Sequence, residues 1–227
     1  MMPRTASSRR PLPRRAGRRG FTLLETSMAL IIIGVGVLAF VEAQRSFMSN
    51  NEWSSQTARA MYLANEIREL SRRLPRHDPV TGLYLETVDG NPVLRGWGPE
   101  AGEIDAGDFD DIDDLDGAVF GLEGNHAGPI DSYGNLIPET NAAGVVALDE
   151  EGHPYGLAGW TQSVKVEKVD PFNYSTVRAP AFKEDPQGSF PGRRVDQYPL
   201  RVTVSVTYRG MFDSEPREIA AVSWIVP

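Results

Sequence analysis

Apolar residues crowd the start of the chain and then thin into two different rhythms. From Phe21 to Val41, 21 residues run predominantly apolar with Glu25 as the only ionisable one. As a helix rising ~1.5 Å per residue they would span about 30 Å, the hydrocarbon thickness of a bilayer. Farther on, Ala60, Leu63, Ile67, Leu70 and Leu74 recur at steps of three and four. That spacing is one stripe of an amphipathic helix, with Arg59, Glu66, Arg68, Glu69, Arg72 and Arg73 left for its other faces. No proline falls between Phe21 and Pro75, so the pattern predicts a single helix over roughly 21–74, its first half in lipid and its second half packed on a domain. Ser49-Asn50-Asn51 are poor helix formers and predict a bend or local melting there. Gly34 and Gly36 would let helices approach closely.

After "PRHDP" (75–79) stops the helix, the rhythm changes to alternation. "GLYLETVDGNPVLRGW" (82–97) predicts a hairpin turning near Asp89-Gly90-Asn91-Pro92. Gly144–Leu148 is a short strand candidate, and Trp160–Val169 reads as a half-buried strand. The clearest strand is Leu200–Tyr208, where Leu200, Val202, Val204, Val206 and Tyr208 alternate strictly with polar residues. Glu218–Val226 is its expected partner, apolar on both sides and so expected to be covered on both faces. Residues 170–199 hold five prolines and read as a loop. Together these elements predict an α+β fold: a long N-terminal helix packed on a C-terminal antiparallel sheet with long loops.

Charge is segregated. Residues 1–20 hold seven arginines and no acid, which leaves 16 of the 23 basic residues against 31 acidic ones, a net of −15 for the remainder. So acidic a body does not present the Lys and Arg that phosphate neutralisation needs, and nucleic acid is not an expected partner. Only Arg45 follows the apolar stretch within fifteen residues, so the positive-inside bias puts residues 1–20 in the cytoplasm and exports the chain beyond about residue 43. The stretch Val37–Ala43 lacks a small-residue A-x-A-like cleavage site, which argues against an ordinary signal peptide. There is no cysteine, which excludes disulfides, thiolate metal sites and a Cys nucleophile.

Gly20-Phe21-Thr22-Leu23-Leu24-Glu25, with arginines before it and the apolar stretch after it, resembles the processing motif of type IV prepilins and type II secretion prepseudopilins. The resemblance covers residues 14–45. It implies that a prepilin peptidase cuts between Gly20 and Phe21 and methylates the new amino terminus, and that Glu25 pairs with the amine of an adjacent subunit during filament assembly. Its implied partners are the peptidase, other pilin or pseudopilin subunits and the inner membrane, which the chain crosses once before joining a pilus or pseudopilus. "GFTLLE", "VLAF" and the late "VTVSVTY" strand resemble the minor pilin and minor pseudopilin group. The chain departs from the family in lacking a proline near the outer end of the membrane helix. The corresponding division is a leader (1–20), a membrane half-helix (21–43), an amphipathic half-helix (44–74) and an exported β-rich domain (75–227). A signal-anchored exported binding protein that never polymerises shares all of this except the processing.

"DAGDFDDIDDLDG" packs seven aspartates into residues 105–116. Oxygen-rich and free of thiols, it offers ligands of the kind Ca²⁺ takes, with Asp111, Asp113, Asp114 and Asp116 as the candidates. It is no EF-hand: Asp114, Asp116, Gly117 and Glu123 fall at loop positions 3, 5, 6 and 12, but position 1 would be Ile112. The competing reading is an acidic turn that dips Phe109, Ile112 and Leu115 inward and leaves its aspartates in water. His77, His126 and His153 lack metal-ligand spacing and read as exposed loop residues. Trp97, Trp160 and Trp224 read as packing residues, and Trp53 as lying near the outer membrane interface or on a packed helix face. With no G-x-S-x-G, P-loop or H-E-x-x-H motif, the expectation is a non-enzymatic protein with no cofactor, calcium at the acidic loop being the one candidate ion.

Overall fold

The computed structural model describes residues 20–121 and 123–227, so all of the basic leader except Gly20 lies outside the described residues. They form two compact units that divide between Asn51 and Glu52. Helix α1 (Leu23–Ser71) supplies most of the first unit and the beginning of the second. It is helical through Ser49-Asn50-Asn51, so the local melting expected as one outcome there does not occur. Three weak formers cost only a few tenths of a kcal/mol each, too little to break a long hydrogen-bonded ladder. The helix closes through Arg72 N–H to Arg68 O (3.2 Å) and a tighter Arg73 N–H to Leu70 O (3.0 Å), just before Pro75.

In the first unit the helix is long and apolar enough to cross a membrane. Leu24, Leu30, Ile32, Val35, Leu38 and Phe40 are all exposed, an apolar surface that a helix in water would bury.

The second unit carries two antiparallel sheets. β1 (Tyr84–Val88) and β2 (Asn91–Arg95) form the expected hairpin, turning at Asp89 (φ 50°) and Gly90 (φ 80°), a left-handed pair that suits a two-residue turn. The main sheet runs in the order β3 (Val119–Phe120), β4 (Trp160–Asp170), β6 (Leu200–Tyr208), β7 (Arg217–Val226), with β5 (Asn173–Val177) pairing the end of β4. β4 and β6 pair along their length from Trp160↔Tyr208 to Lys168↔Leu200. Their inward residues Val164, Val166, Leu200, Val202, Val204 and Val206 share one core with Ala60, Leu63, Ala64, Ile67 and Leu70 of α1. The apolar stripe of the helix therefore packs as its spacing predicts.

Buried polar groups tie these layers together. Gln162, fully buried on β4, donates from Nε2 to Leu63 O (2.8 Å) in α1 and to Ile130 O (3.1 Å), and accepts at Oε1 from Ile130 N–H (2.8 Å). Lys168, also buried, donates its ammonium to the carbonyls of Pro180, Val195 (2.7 Å) and Phe182 (3.5 Å), which anchors the proline-rich 170–199 segment to the sheet.

Three expectations change. β5 lies within the segment read as a loop; its side chains are mostly exposed, so no apolar alternation marks it. β7 is the edge of the sheet and is not covered on both faces: Ile219 is buried, but Ala221 and Ser223 are exposed. Gly144–Leu148 makes isolated bridges instead of a strand, within three successive tight turns at Asp131–Asn135, Asn141–Val145 and Asp149–His153. Each turn opens with Asp or Asn, whose Oδ1 accepts from a backbone N–H inside the turn, and places a glycine of positive φ fourth: Gly134, Gly144 and Gly152.

Candidate functional site

At its start, α1 is held by a reciprocal cap. Glu25 N–H donates to Thr22 Oγ1 (3.2 Å), while Thr22 N–H (3.2 Å) and Thr22 Oγ1 (3.3 Å) donate to Glu25 Oε2. This is a capping box with Thr22 as the cap and Glu25 at the third helical position, and it also sets the carboxylate at the positive end of the helix dipole. Glu25 is thus partnered within its own chain, a role that the sequence reading did not assign it although the Thr-x-x-Glu spacing carries the signal. Gly20 and Phe21 precede the helix and are exposed, and a Cβ built at Gly20 meets nothing within 4 Å. Among the described residues, nothing packs closely enough to demand glycine at position 20.

The acidic loop folds against the C-terminal end of α1, where Ile112 N–H donates to Pro75 O (2.9 Å). A 3-10 turn, Asp113–Leu115, follows. Phe109, Ile112 and Leu115 are buried, as the inward-dipping reading expects, but Asp111, Asp113 and Asp114 are buried with them and are not solvated. The four aspartates proposed from sequence divide into two pairs with different surroundings. Asp111 and Asp114 brace each other's backbone: Asp111 Oδ1 accepts from Asp113 N–H (2.8 Å) and Asp114 N–H (3.2 Å), and Asp114 Oδ2 accepts from Asp110 N–H and Asp111 N–H (both 3.1 Å). Asp113 instead contacts His77 Nδ1 and accepts from Gly98 N–H (3.1 Å). Asp116 bolts the loop to the sheet, accepting from Val166 N–H (2.9 Å) and from Trp97 Nε1–H (3.3 Å).

Two glutamates from an upstream turn join the first pair. Glu100, Asp111 and Asp114 bring one carboxylate oxygen each within 4.8 Å of one another, and Glu103, Asp110 and Asp114 do the same. Sequence reasoning missed Glu100 and Glu103 because they lie outside the aspartate run. The arrangement supplies only oxygen donors, the set that hard divalent cations prefer.

Burial, reinforced by neighbouring carboxylates, pushes Asp111 up to about 8, Asp113 to about 7 and Asp114 to about 6, and it pushes Glu100 up to about 7. Burial drives His77 the other way, down to about 4. Carboxyl groups raised above their unfolded values hold protons in the folded state that the unfolded chain has released, so their contribution to stability is lost as pH rises through the folded pKa values. His77 opposes this only below its unfolded value near 6.5. Chelator-treated protein is therefore expected to melt at progressively higher temperature as pH is lowered from 8 to 6.5, measured by thermal scans at fixed ionic strength; a flat or falling profile would contradict the buried-acid assignment.

The histidines differ from the expected exposed residues in two cases. The His77 side chain is buried, and His126 lies between Phe109 and Phe120 with ring centroids 5.3 and 5.4 Å away; His153 is exposed. Trp160 is a buried packing residue, whereas Trp53 is half exposed with the Arg217 guanidinium 5.1 Å from its ring centre. A cavity of about 630 Å³ opens beside the tight turns, lined by His126, Leu136, Tyr155 and Leu157 among others. Glu139, at its wall, is committed to Ala158 N–H (2.9 Å). No family model, curated protein or solved structure matches this chain.

Proposed function

We propose that the chain is a minor subunit of a type IV pilus or type II secretion filament, cut by a prepilin peptidase between Gly20 and Phe21 and assembled through its N-terminal helix. The observation that carries this reading is the placement of "GFTLLE" at the mouth of an apolar helix: a glycine against which nothing among the described residues packs, an exposed Phe21, and Glu25 on the first helical turn. After cleavage, Phe21 presents a positive amine beside an apolar environment, and a buried charge is tolerable only when paired. Glu25 is the one acid within the apolar stretch able to supply the counter-charge. A helix long and apolar enough to cross a membrane and the α+β character of the second unit support the same reading.

In this account the leader is cytoplasmic, the second unit is exported, and the protein works with the peptidase and other pilin-type subunits without catalysing a reaction. The cavity beside Tyr155 favours a second reading, an anchored exported binding protein that does not polymerise. Processing separates the two. Cells holding prepilin peptidase should yield a chain that begins at Phe21, and an intact leader in such cells would favour the anchored binder.

A further inference from the structure

We propose that Glu100, Asp111 and Asp114 bind one calcium ion, with Glu103 and Asp110 supplying further oxygens around the shared Asp114. Asp111 and Asp114 are 0% and 1% exposed, yet among the described residues Asp111 Oδ2 and Asp114 Oδ1 find no hydrogen-bond partner, and neither carboxylate oxygen of Glu100 finds one. The other oxygen of each aspartate is held by two backbone N–H groups, so both carboxylates are oriented before any ligand arrives. Among the described residues none of the three acids takes part in an ion pair, and buried carboxylates without a counter-charge are characteristic of cation sites.

Donor chemistry and coordination preference select the ion. Oxygen donors alone disfavour zinc and copper, and His77 is occupied by Asp113. The donor oxygens of the three acids lie within 4.8 Å of one another, close enough to share one ion. Calcium accepts many carboxylate oxygens in a flexible shell, whereas magnesium demands near-ideal octahedral geometry, keeps several waters and uses only one or two carboxylates. Bound there, calcium replaces mutual repulsion among the acids with shared attraction and locks the acidic loop onto the end of α1 through the Ile112 to Pro75 bond. The site does not depend on filament assembly, since a chain that never polymerises would hold the ion equally.

The test uses the full-length chain in detergent micelles, stripped with chelator and titrated with CaCl₂ by calorimetry and thermal unfolding. TbCl₃ serves as a luminescent probe, excited through Trp97, whose indole contacts Asp116 in the same loop. One saturable ion per chain is expected, with a calcium-dependent rise in melting temperature and a much weaker response to MgCl₂. Asp111→Asn and Asp114→Asn keep an oxygen for the backbone N–H groups and remove like charge, so they should fold at least as well without metal while calcium affinity falls by at least about tenfold. Asp105→Asn, on the exposed side of the loop, should bind as the parent does. No saturable binding, undiminished binding by the Asp111→Asn/Asp114→Asn double variant, or an equal response to magnesium would overturn the proposal.

Discussion

Glu25→Val is expected to be exported and cut after Gly20 like the parent, yet to be nearly absent from assembled filaments. An amine left buried without its partner costs about 3–5 kcal/mol, which corresponds to a loss of roughly two orders of magnitude or more in incorporation. The capping box complicates this substitution, because Glu25 also closes the first turn of α1 with Thr22. Loss of a cap is worth only about 1 kcal/mol, and two further variants divide the roles. Glu25→Gln retains a capping partner without the charge and should fail to assemble, as the valine variant does. Thr22→Ala loses the cap, keeps the charge and should assemble with a modest deficit. Filament fractions quantified by immunoblot against total processed chain give the readout. Normal incorporation of Glu25→Gln would reduce Glu25 to a helix cap.

The second large effect is expected at Gln162. Replacement by leucine preserves volume and adds apolar surface, but strands Ile130 N–H and C=O in the core, where Ile130 is 2% exposed. Leu63 O suffers less, because it sits within the helical ladder. Two orphaned backbone groups predict a loss of about 3 kcal/mol, or a fall in melting temperature of roughly 6–12 °C for a domain of this size. Thermal unfolding followed by tryptophan fluorescence measures it, since Trp160 lies on the same strand. A loss below about 1 kcal/mol would mean that the Gln162 bonds are replaced by other partners.

What was legible in the sequence was what rests on local periodicity. The stripe from Ala60 to Leu74 places α1 against the sheet, and strict alternation marks β6, because each is a direct consequence of one face being dry. The 82–97 hairpin was legible from Asp89-Gly90, whose backbone preference defines the turn. Features set by distant neighbours were not. β5 exists because β4 offers it an edge, and its own exposed residues carry no pattern. Lys168 looks like one more polar position on a strand until the carbonyls of Pro180, Phe182 and Val195 converge on it. In the acidic loop, composition points to Asp111 and Asp114. Only the fold separates them from Asp113 and Asp116, which serve His77, Trp97 and the sheet, and brings Glu100 and Glu103 alongside. The Glu25 cap was written in Thr22-x-x-Glu25 but was hidden by the more conspicuous question of a charge in an apolar stretch.

Mass spectrometry of the amino-terminal peptide from membranes of cells with and without prepilin peptidase decides whether the chain is processed at the start of the helix. A chain beginning at Phe21 and carrying one methyl group on its amine is expected when the peptidase is present, and the intact arginine-rich leader when it is absent. An unprocessed leader in both, or an amino terminus beyond residue 39, would contradict it.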